Sequence, residues 1–250
     1  MLRKRIIPTL LIEEQSLVKS INFKNRTYVG DPLNAIKIFN EKFVDELIIL
    51  DIDCNKSNYE IQYDFLKNLF SECFVPVTYG GGIENIKQAE KIFKMGAEKI
   101  SLNSIVLENI NIVKEFSNNF GSQSVVISID VKKNIFNNYL IYNNKSKKII
   151  KDLNLKEFVM KLKDLGAGEI LINSVDNDGM MKGMDLKLVN LTKDLVEIPI
   201  VHGGGVGSDK DIKDALSMGI SGVTAGSYFI FYGPHKAVLI TYPFEKFENL

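Results

Sequence analysis

Residues Gly80–Ser104 (GGGIENIKQAEKIFKMGAEKISLNS) and Gly203–Ser227 (GGGVGSDKDIKDALSMGISGVTAGS) are two gapless versions of one 25-residue unit, set 123 positions apart in a chain of 250. Each opens on three glycines, carries Met-Gly where a helix would end, and closes on serine after a short apolar run. An offset of half the chain points to two fused halves, about 1–122 and 123–250, of one closed architecture. Short apolar runs elsewhere alternate with amphipathic segments, the pattern of parallel β/α units. Strands are expected at Arg5–Leu11, Leu47–Asp53, Pro76–Tyr79, Lys99–Asn103, Val125–Val131, Glu169–Ser174, Ile200–His202 and Gly222–Gly226. Helical patterns fill the gaps at Pro32–Phe43, Tyr59–Phe70, Asn85–Met95, Ile110–Asn118, Leu155–Leu165, Leu186–Val196 and Asp209–Met218. Eight strands with a half-chain repeat predict a single-domain α/β (β/α)8 TIM barrel with two-fold internal symmetry. A doubly wound open sheet is the alternative, but it does not generate this repeat.

Two stretches interrupt the rhythm. Glu13–Gly30 is long for a loop between a strand and a helix, as lids and binding loops are. Lys132–Ile150 alternates apolar and polar residues around Asn and Lys turns, which predicts a hairpin inserted after the fifth strand.

Composition narrows the partners. With 31 basic and 31 acidic residues the net charge is +0, so no global field favours nucleic acid or an anionic membrane. The basic-then-apolar start MLRKRIIPTLLI is short, contains Pro8, and runs into Glu13-Glu14 without a cleavage motif, so a strand is expected there rather than a signal peptide. No run is long enough to span a membrane. Cys54 and Cys73 make neither a disulfide framework nor a metal spacing, which fits a reducing cytoplasm. No cofactor or metal is expected; the two histidines, His202 and His235, are too few and too far apart for a metal centre.

In such a barrel the active face lies at the C-terminal strand ends. That rule selects Leu11, Asp51, Asp53, Gly80, Gly81, Gly82, Asn103, Ser104, Asp130, Asp176, Gly203, Gly204, Gly205, Gly226 and Ser227. The glycine turns and the serines that close each unit predict two phosphate cradles of backbone N–H groups and hydroxyls, and so a ligand with a phosphate at each end. Tight turns alone would explain one or two of the glycines. Asp130 and Asp176, at strand ends, are general acid–base candidates or loop caps. Lys19 is a phosphate or carbonyl contact or a solvated lysine; His202 packs in the barrel mouth or catalyses. At the opposite end Arg5, Glu46, Lys99 and Glu169 stand at strand starts, where alternating charges can close the barrel as a ring. Such a ring is a structural plug or a gate for a small molecule.

KRIIP, VKSINF, DELIILDID, TYGGGI, EKISLNS, FGSQSVVISID, GAGEILINSVDNDG and HGGGVG together span nearly the whole chain. They resemble the cyclase subunit of imidazole glycerol phosphate synthase, the barrel of histidine biosynthesis. The resemblance implies a glutaminase subunit docked on the bottom face, releasing ammonia that crosses the barrel to a phosphate-bearing substrate at the top. It places Gly82, Asn103, Ser104, Gly204 and Ser227 at phosphate positions, Lys19 on a mobile loop, and Arg5, Glu46, Lys99 and Glu169 in the gate. The family's catalytic pair is two aspartates, after strands 1 and 5. Asp130 matches the second, but IPTLLIEEQSLVK puts Leu11 where the first belongs, with Glu13 and Glu14 further along. A leucine neither donates nor accepts a proton. The Leu-Leu pattern and the ending FYGPHKAVLITYP resemble a divergent branch associated with amidation of sugars in bacterial surface polysaccharides, where a separate sugar amidotransferase uses the ammonia. Three functions follow: ammonia supply for that amidation, an authentic cyclase with a rearranged carboxylate, or a non-catalytic scaffold that activates its glutaminase.

Overall fold

The computed structural model describes residues 3–56, 59–243, 245 and 247. Its centre is a closed barrel of eight parallel strands: β1 (Arg5–Glu13), β4 (Leu47–Asp51), β5 (Val77–Gly80), β6 (Lys99–Leu102), β7 (Val125–Lys133), β10 (Glu169–Ser174), β11 (Ile200–Gly203) and β12 (Gly222–Ala225). They pair in that order, and the circle closes where Arg5–Pro8 meet Gly222–Ala225. The expected strands are all present; the second stops at Asp51, and β1 runs two residues beyond Leu11.

Helices α1 (Pro32–Glu41), α2 (Tyr63–Ser71), α3 (Ile86–Lys94), α5 (Ile112–Phe120), α6 (Leu155–Asp164), α7 (Leu186–Thr192) and α8 (Asp209–Ser217) follow successive strands. Two short helices not anticipated, α4 (Ser104–Glu108) and α9 (Ser227–Ile230), begin on the serines that close the repeated unit. The longer helices start on their own side-chain caps. Asp31 accepts from Leu33 N ahead of Pro32, and Asn85 and Ser208 form reciprocal capping boxes with Gln88 and Asp211. Apolar stripes such as Ala35, Ile36 and Phe39 of α1 face the sheet, and one large cluster fills the space between barrel and helices. A smaller cluster of Ile7, Ile48, Val126, Leu171 and Val201 fills the barrel interior. Strand parity decides the split: Val201 points in while His202, beside it, points out.

The two irregular stretches are both sheet. Glu13–Gly30 is an antiparallel hairpin, β2 (Ser16–Ile21) and β3 (Lys24–Gly30), rather than a loop, turning at Asn22-Phe23 with φ of 52° and 61°. Two positive φ angles give the turn whose twist suits a two-residue hairpin. Its tip is bolted across the barrel mouth: Asn22 N donates to Asp178 O at 2.9 Å, and Asn22 Nδ2 donates to Asp176 O at 2.6 Å. Gly179 lets Ser20 approach so closely that a Cβ would meet its carbonyl oxygen. The stretch that carries Lys19 is thus a hairpin whose tip is hydrogen-bonded to the turn after β10. Lys132–Ile150 holds the expected hairpin as an antiparallel extension of β7 by β8 (Tyr139–Asn143) and β9 (Lys148–Ile150). A last small hairpin, β13 (Phe231–Tyr232) and β14 (Ala237–Val238), follows α9. Among the described residues no helix is long and apolar enough to cross a membrane.

Candidate functional site

At the bottom of the barrel the four strand-start charges meet. Arg5 pairs with Glu46 at 2.7 Å and with Glu169 at 3.0 Å; Lys99 pairs with the same two carboxylates at 3.0 and 3.2 Å. Cation and anion alternate around the circle, and Thr78 Oγ1 also donates to Glu46, at 2.6 Å. Directly above lie the apolar side chains Ile7, Ile48, Val126, Leu171 and Val201.

Above that layer a cavity of about 220 Å³ opens at the C-terminal strand ends. Hydroxyls of Thr9, Ser101, Ser128 and Thr224 form its floor, with Thr9 and Thr224 hydrogen-bonded to each other. Lys19, Gly81, Gly82, Asn103, Ser104, Asp130, Gly204, Gly205, Gly226 and Ser227 all line it. Gly203 and Asp176 do not. The Asp176 carboxylate instead accepts from Lys133 N at 2.8 Å, in the loop-capping geometry. His202 is buried on the helix side, its Nε2 3.0 Å from Thr192 Oγ1, and burial pushes it down to about 4, so it is a neutral core histidine.

Asp130 lies buried on the cavity wall and accepts from Asn103 Nδ2 at 3.0 Å. Burial, only partly offset by Asn103 and Asn173, pushes its carboxyl up to about 7. The folded-state value lies above the unfolded one, so the stability this group contributes is complete below about pH 4 and is lost as pH rises through about 7. Asp130→Asn should therefore be more stable than the parent at pH 8, by roughly 1–3 kcal/mol, with no such gain at pH 4. Chemical denaturation at the two pH values checks this; an equal difference at both would contradict it.

Sequence reasoning missed Asp178. Burial raises its carboxyl to about 6 against the pull of Lys19 and Ser20, and it lines the same cavity. Lys19 is buried rather than solvated: its Nζ donates to Thr9 O at 2.6 Å, and burial lowers it to about 8 with Asp178 opposing. Asp176 and Asp178 share strand parity, but only the turn beyond Ser174 decides which faces in. Leu11 lies beside Leu50 and also lines the cavity, giving it an apolar wall. Neither nearby glutamate lines the cavity: Glu13 pairs with Arg26, and Glu14 pairs with Lys56 at 2.9 Å. Cys54 reaches the cavity, but burial raises its thiol to about 11, so it stays protonated at neutral pH.

The triple glycines answer first to the backbone. Gly82 has φ +68° and a Cβ there would run into the Tyr59 ring, while Gly204 has φ +94° and a Cβ there would run into Ser174 O. Tyr59 is itself held by a 2.7 Å hydrogen bond from its hydroxyl to Asp51. A side chain at either glycine would strain the turn, so anion binding is better probed at Ser104 and Ser227. The helices after these turns do not point free N-termini at the cavity. Asn85 caps α3, and Asp211 accepts from Gly207 N and Ser208 N at 2.9 Å ahead of α8. Among the described residues, Asn103 Oδ1 at the cavity is buried with no hydrogen-bond partner.

Fold and site together define a (β/α)8 barrel with a cavity lined by Asp130, Asp178 and Lys19 at its top and an ion-pair ring across its base. Residues 5–235 match the family model described as histidine biosynthesis protein. The chain is 45% identical over 244 residues to "Putative imidazole glycerol phosphate synthase subunit hisF2" of Pseudomonas aeruginosa, covering 97% of each. It is 47% identical over 247 residues to "Putative imidazole glycerol phosphate synthase subunit hisF3" of Vibrio vulnificus, covering 97% of this chain and 94% of that one. With "Imidazole glycerol phosphate synthase subunit HisF" of Petrotoga mobilis it shares 39% over 238 residues, 95% of this chain and 94% of the relative. The chain belongs to the histidine-biosynthesis protein family and is similar along nearly its whole length to imidazole glycerol phosphate synthase subunits of the HisF type.

Proposed function

We propose that this barrel receives ammonia from a glutaminase docked on its bottom face and supplies it for amidation of an N-acetyl sugar in surface-polysaccharide synthesis. A separate sugar amidotransferase is the acceptor. The observation that carries the proposal is a contrast between the two ends. The ring of Arg5, Glu46, Lys99 and Glu169 is complete, whereas Leu11 stands in the cavity where the cyclase reaction needs a carboxylate. The two glycine-serine units hold phosphate groups of a ligand in the cavity, and Lys19 neutralises part of its charge.

The bottom face supports docking. Phe43 and Phe74 follow α1 and α2 there and are 73% and 83% exposed, large apolar surface beside the ring. Asn40 ties the two loops together, donating to Glu72 O at 2.6 Å and accepting from Phe74 N at 3.2 Å. Phe74→Ser should weaken binding of the glutaminase encoded in the same genome by about tenfold or more, the scale of an aromatic interface anchor, with unfolding unchanged. A calorimetric titration checks this; wild-type affinity in the variant would remove this face from the interface, and no binding by the parent chain would overturn the proposal.

An authentic cyclase is the second reading, favoured by Asp178. It is the rearranged carboxylate such an enzyme would need, buried in the same cavity as Asp130, whereas Glu13 and Glu14 are engaged elsewhere. A barrel that only activates its glutaminase would show the same docking without any chemistry at the top.

A further inference from the structure

Two hairpins from different parts of the chain bring cations together over the cavity mouth. From β2–β3 come Lys24 and Arg26; from the turn joining β8 and β9 come Lys145 and Lys147. Arg26, Asn144 and Lys145 line the same cavity as Ser104 and Asp130. The Lys147 ammonium is held below the ordinary lysine value, by desolvation first and then by Arg26 and Lys24, while Asp130 pulls the other way. Arg26 from one hairpin and Lys145 from the other thus line one opening, and Lys147 joins its rim through Asn144, like charges gathered in a protein whose net charge is +0.

Two of the four are held back at rest. Glu13 takes Arg26, and Glu108, at the end of α4, takes Lys145 at 2.9 Å. Lys147 Nζ donates only to the neutral Asn144 Oδ1, at 2.7 Å, and among the described residues neither Lys147 nor Lys24 pairs with a carboxylate. Lys147 itself sits at φ +57°, in a left-handed turn that fixes where its side chain leaves the hairpin. Fold-level packing does not need these cations: all four project from hairpins rather than from the core. A ligand that carries negative charge at the mouth would turn the repulsion into attraction on both hairpins at once.

We propose that the β2–β3 and β8–β9 hairpins form an anion clamp over the mouth, in which Arg26 and Lys147 bind a third anionic group of a polyphosphorylated ligand that projects out of the barrel. The clamp rests on the reading of the cavity as a phosphate-ligand site, but it uses none of the residues of the two glycine-serine cradles. It selects for ligands that extend past the cavity, which orthophosphate does not.

Calorimetric titrations with orthophosphate and with inorganic tripolyphosphate test it at low and moderate salt. Tripolyphosphate should bind the intact chain at least about tenfold more tightly, with the steeper salt dependence. Arg26→Ala combined with Lys147→Ala should remove that advantage while leaving orthophosphate affinity within about twofold, since a compact ion held in a glycine-serine cradle is reached less by mouth charges. Ser104→Ala with Ser227→Ala should weaken orthophosphate and keep the advantage. If tripolyphosphate shows no advantage, or keeps it in the Arg26/Lys147 variant, the clamp is wrong. Tripolyphosphate binding that depends on Arg26 and Lys147 without any orthophosphate binding would support the clamp and sink the cradles instead.

Discussion

Glu46→Ala should destabilise the barrel by about 3–5 kcal/mol, the cost of breaking a buried charge pair by removing one partner. The Glu46 carboxylate accepts from Arg5, Lys99 and Thr78, and its side chain is only 4% exposed. Truncation leaves two cations sharing Glu169 and one buried hydroxyl without an acceptor. Little solvent reaches the site to compensate, because the apolar layer of Ile7, Ile48, Val126, Leu171 and Val201 lies immediately above. Urea unfolding of the variant against the parent measures the difference. A change below about 1 kcal/mol, the worth of an exposed pair, would mean that water screens the ring and that it is not sealed. The same substitution should raise leakage of ammonia in the glutaminase complex, because the ring then lacks one of its two anions.

Leu11→Asp should raise ammonium-driven cyclase turnover by about 10²-fold or more, the usual contribution of one positioned proton-transfer group. The position is suited to the exchange. Leu11 already lines the cavity, and β1 and β4 hold it in register with Leu50, so the new carboxylate needs no backbone movement. Its neighbours work in its favour as well. Lys19 lies nearby in the same cavity as a cationic partner, and Asp130 sits on the wall with its carboxyl already raised to about 7. Two carboxyls with separated values can divide acid and base roles. No gain on Leu11→Asp, with the fold intact, would show that something other than this missing group limits the chemistry.

Much of the architecture was legible because it rests on periodicity. Eight apolar runs bounded by Gly, Asn and Asp give eight strands, and the repeated 25-residue unit places its two copies after β5 and β11, on opposite sides of the barrel. The strand-end rule likewise found Asp130, Asn103, Ser104 and Ser227, since residues at the C-terminal ends must face the mouth. What escaped depends on tertiary contacts. KSINFKNRTY is polar and half exposed, so it reads as a loop, yet Asn22 and Phe23 adopt the turn that pairs β2 with β3, and Asn22 anchors the tip to the Asp176 and Asp178 carbonyls. Burial of Lys19 follows from that strap and has no local sequence cause. The choice of Asp178 over Asp176 for the cavity depends on a turn that strand parity does not describe. In the same way Arg26 and Lys147 are distant in sequence, and only the two hairpins bring them to one opening.

We propose that this family barrel keeps a ring for ammonia entry while Leu11 removes one half of the cyclase acid–base pair. The most direct test supplies ammonium together with the substrate that imidazole glycerol phosphate synthases cyclise, so that no glutaminase is needed. Its reference is a family barrel carrying aspartate at the end of its first strand. The unmodified chain should turn over at least about 10²-fold more slowly than the reference. Turnover equal to the reference would contradict the claim and make the protein an authentic cyclase, with Asp178 the first residue to substitute.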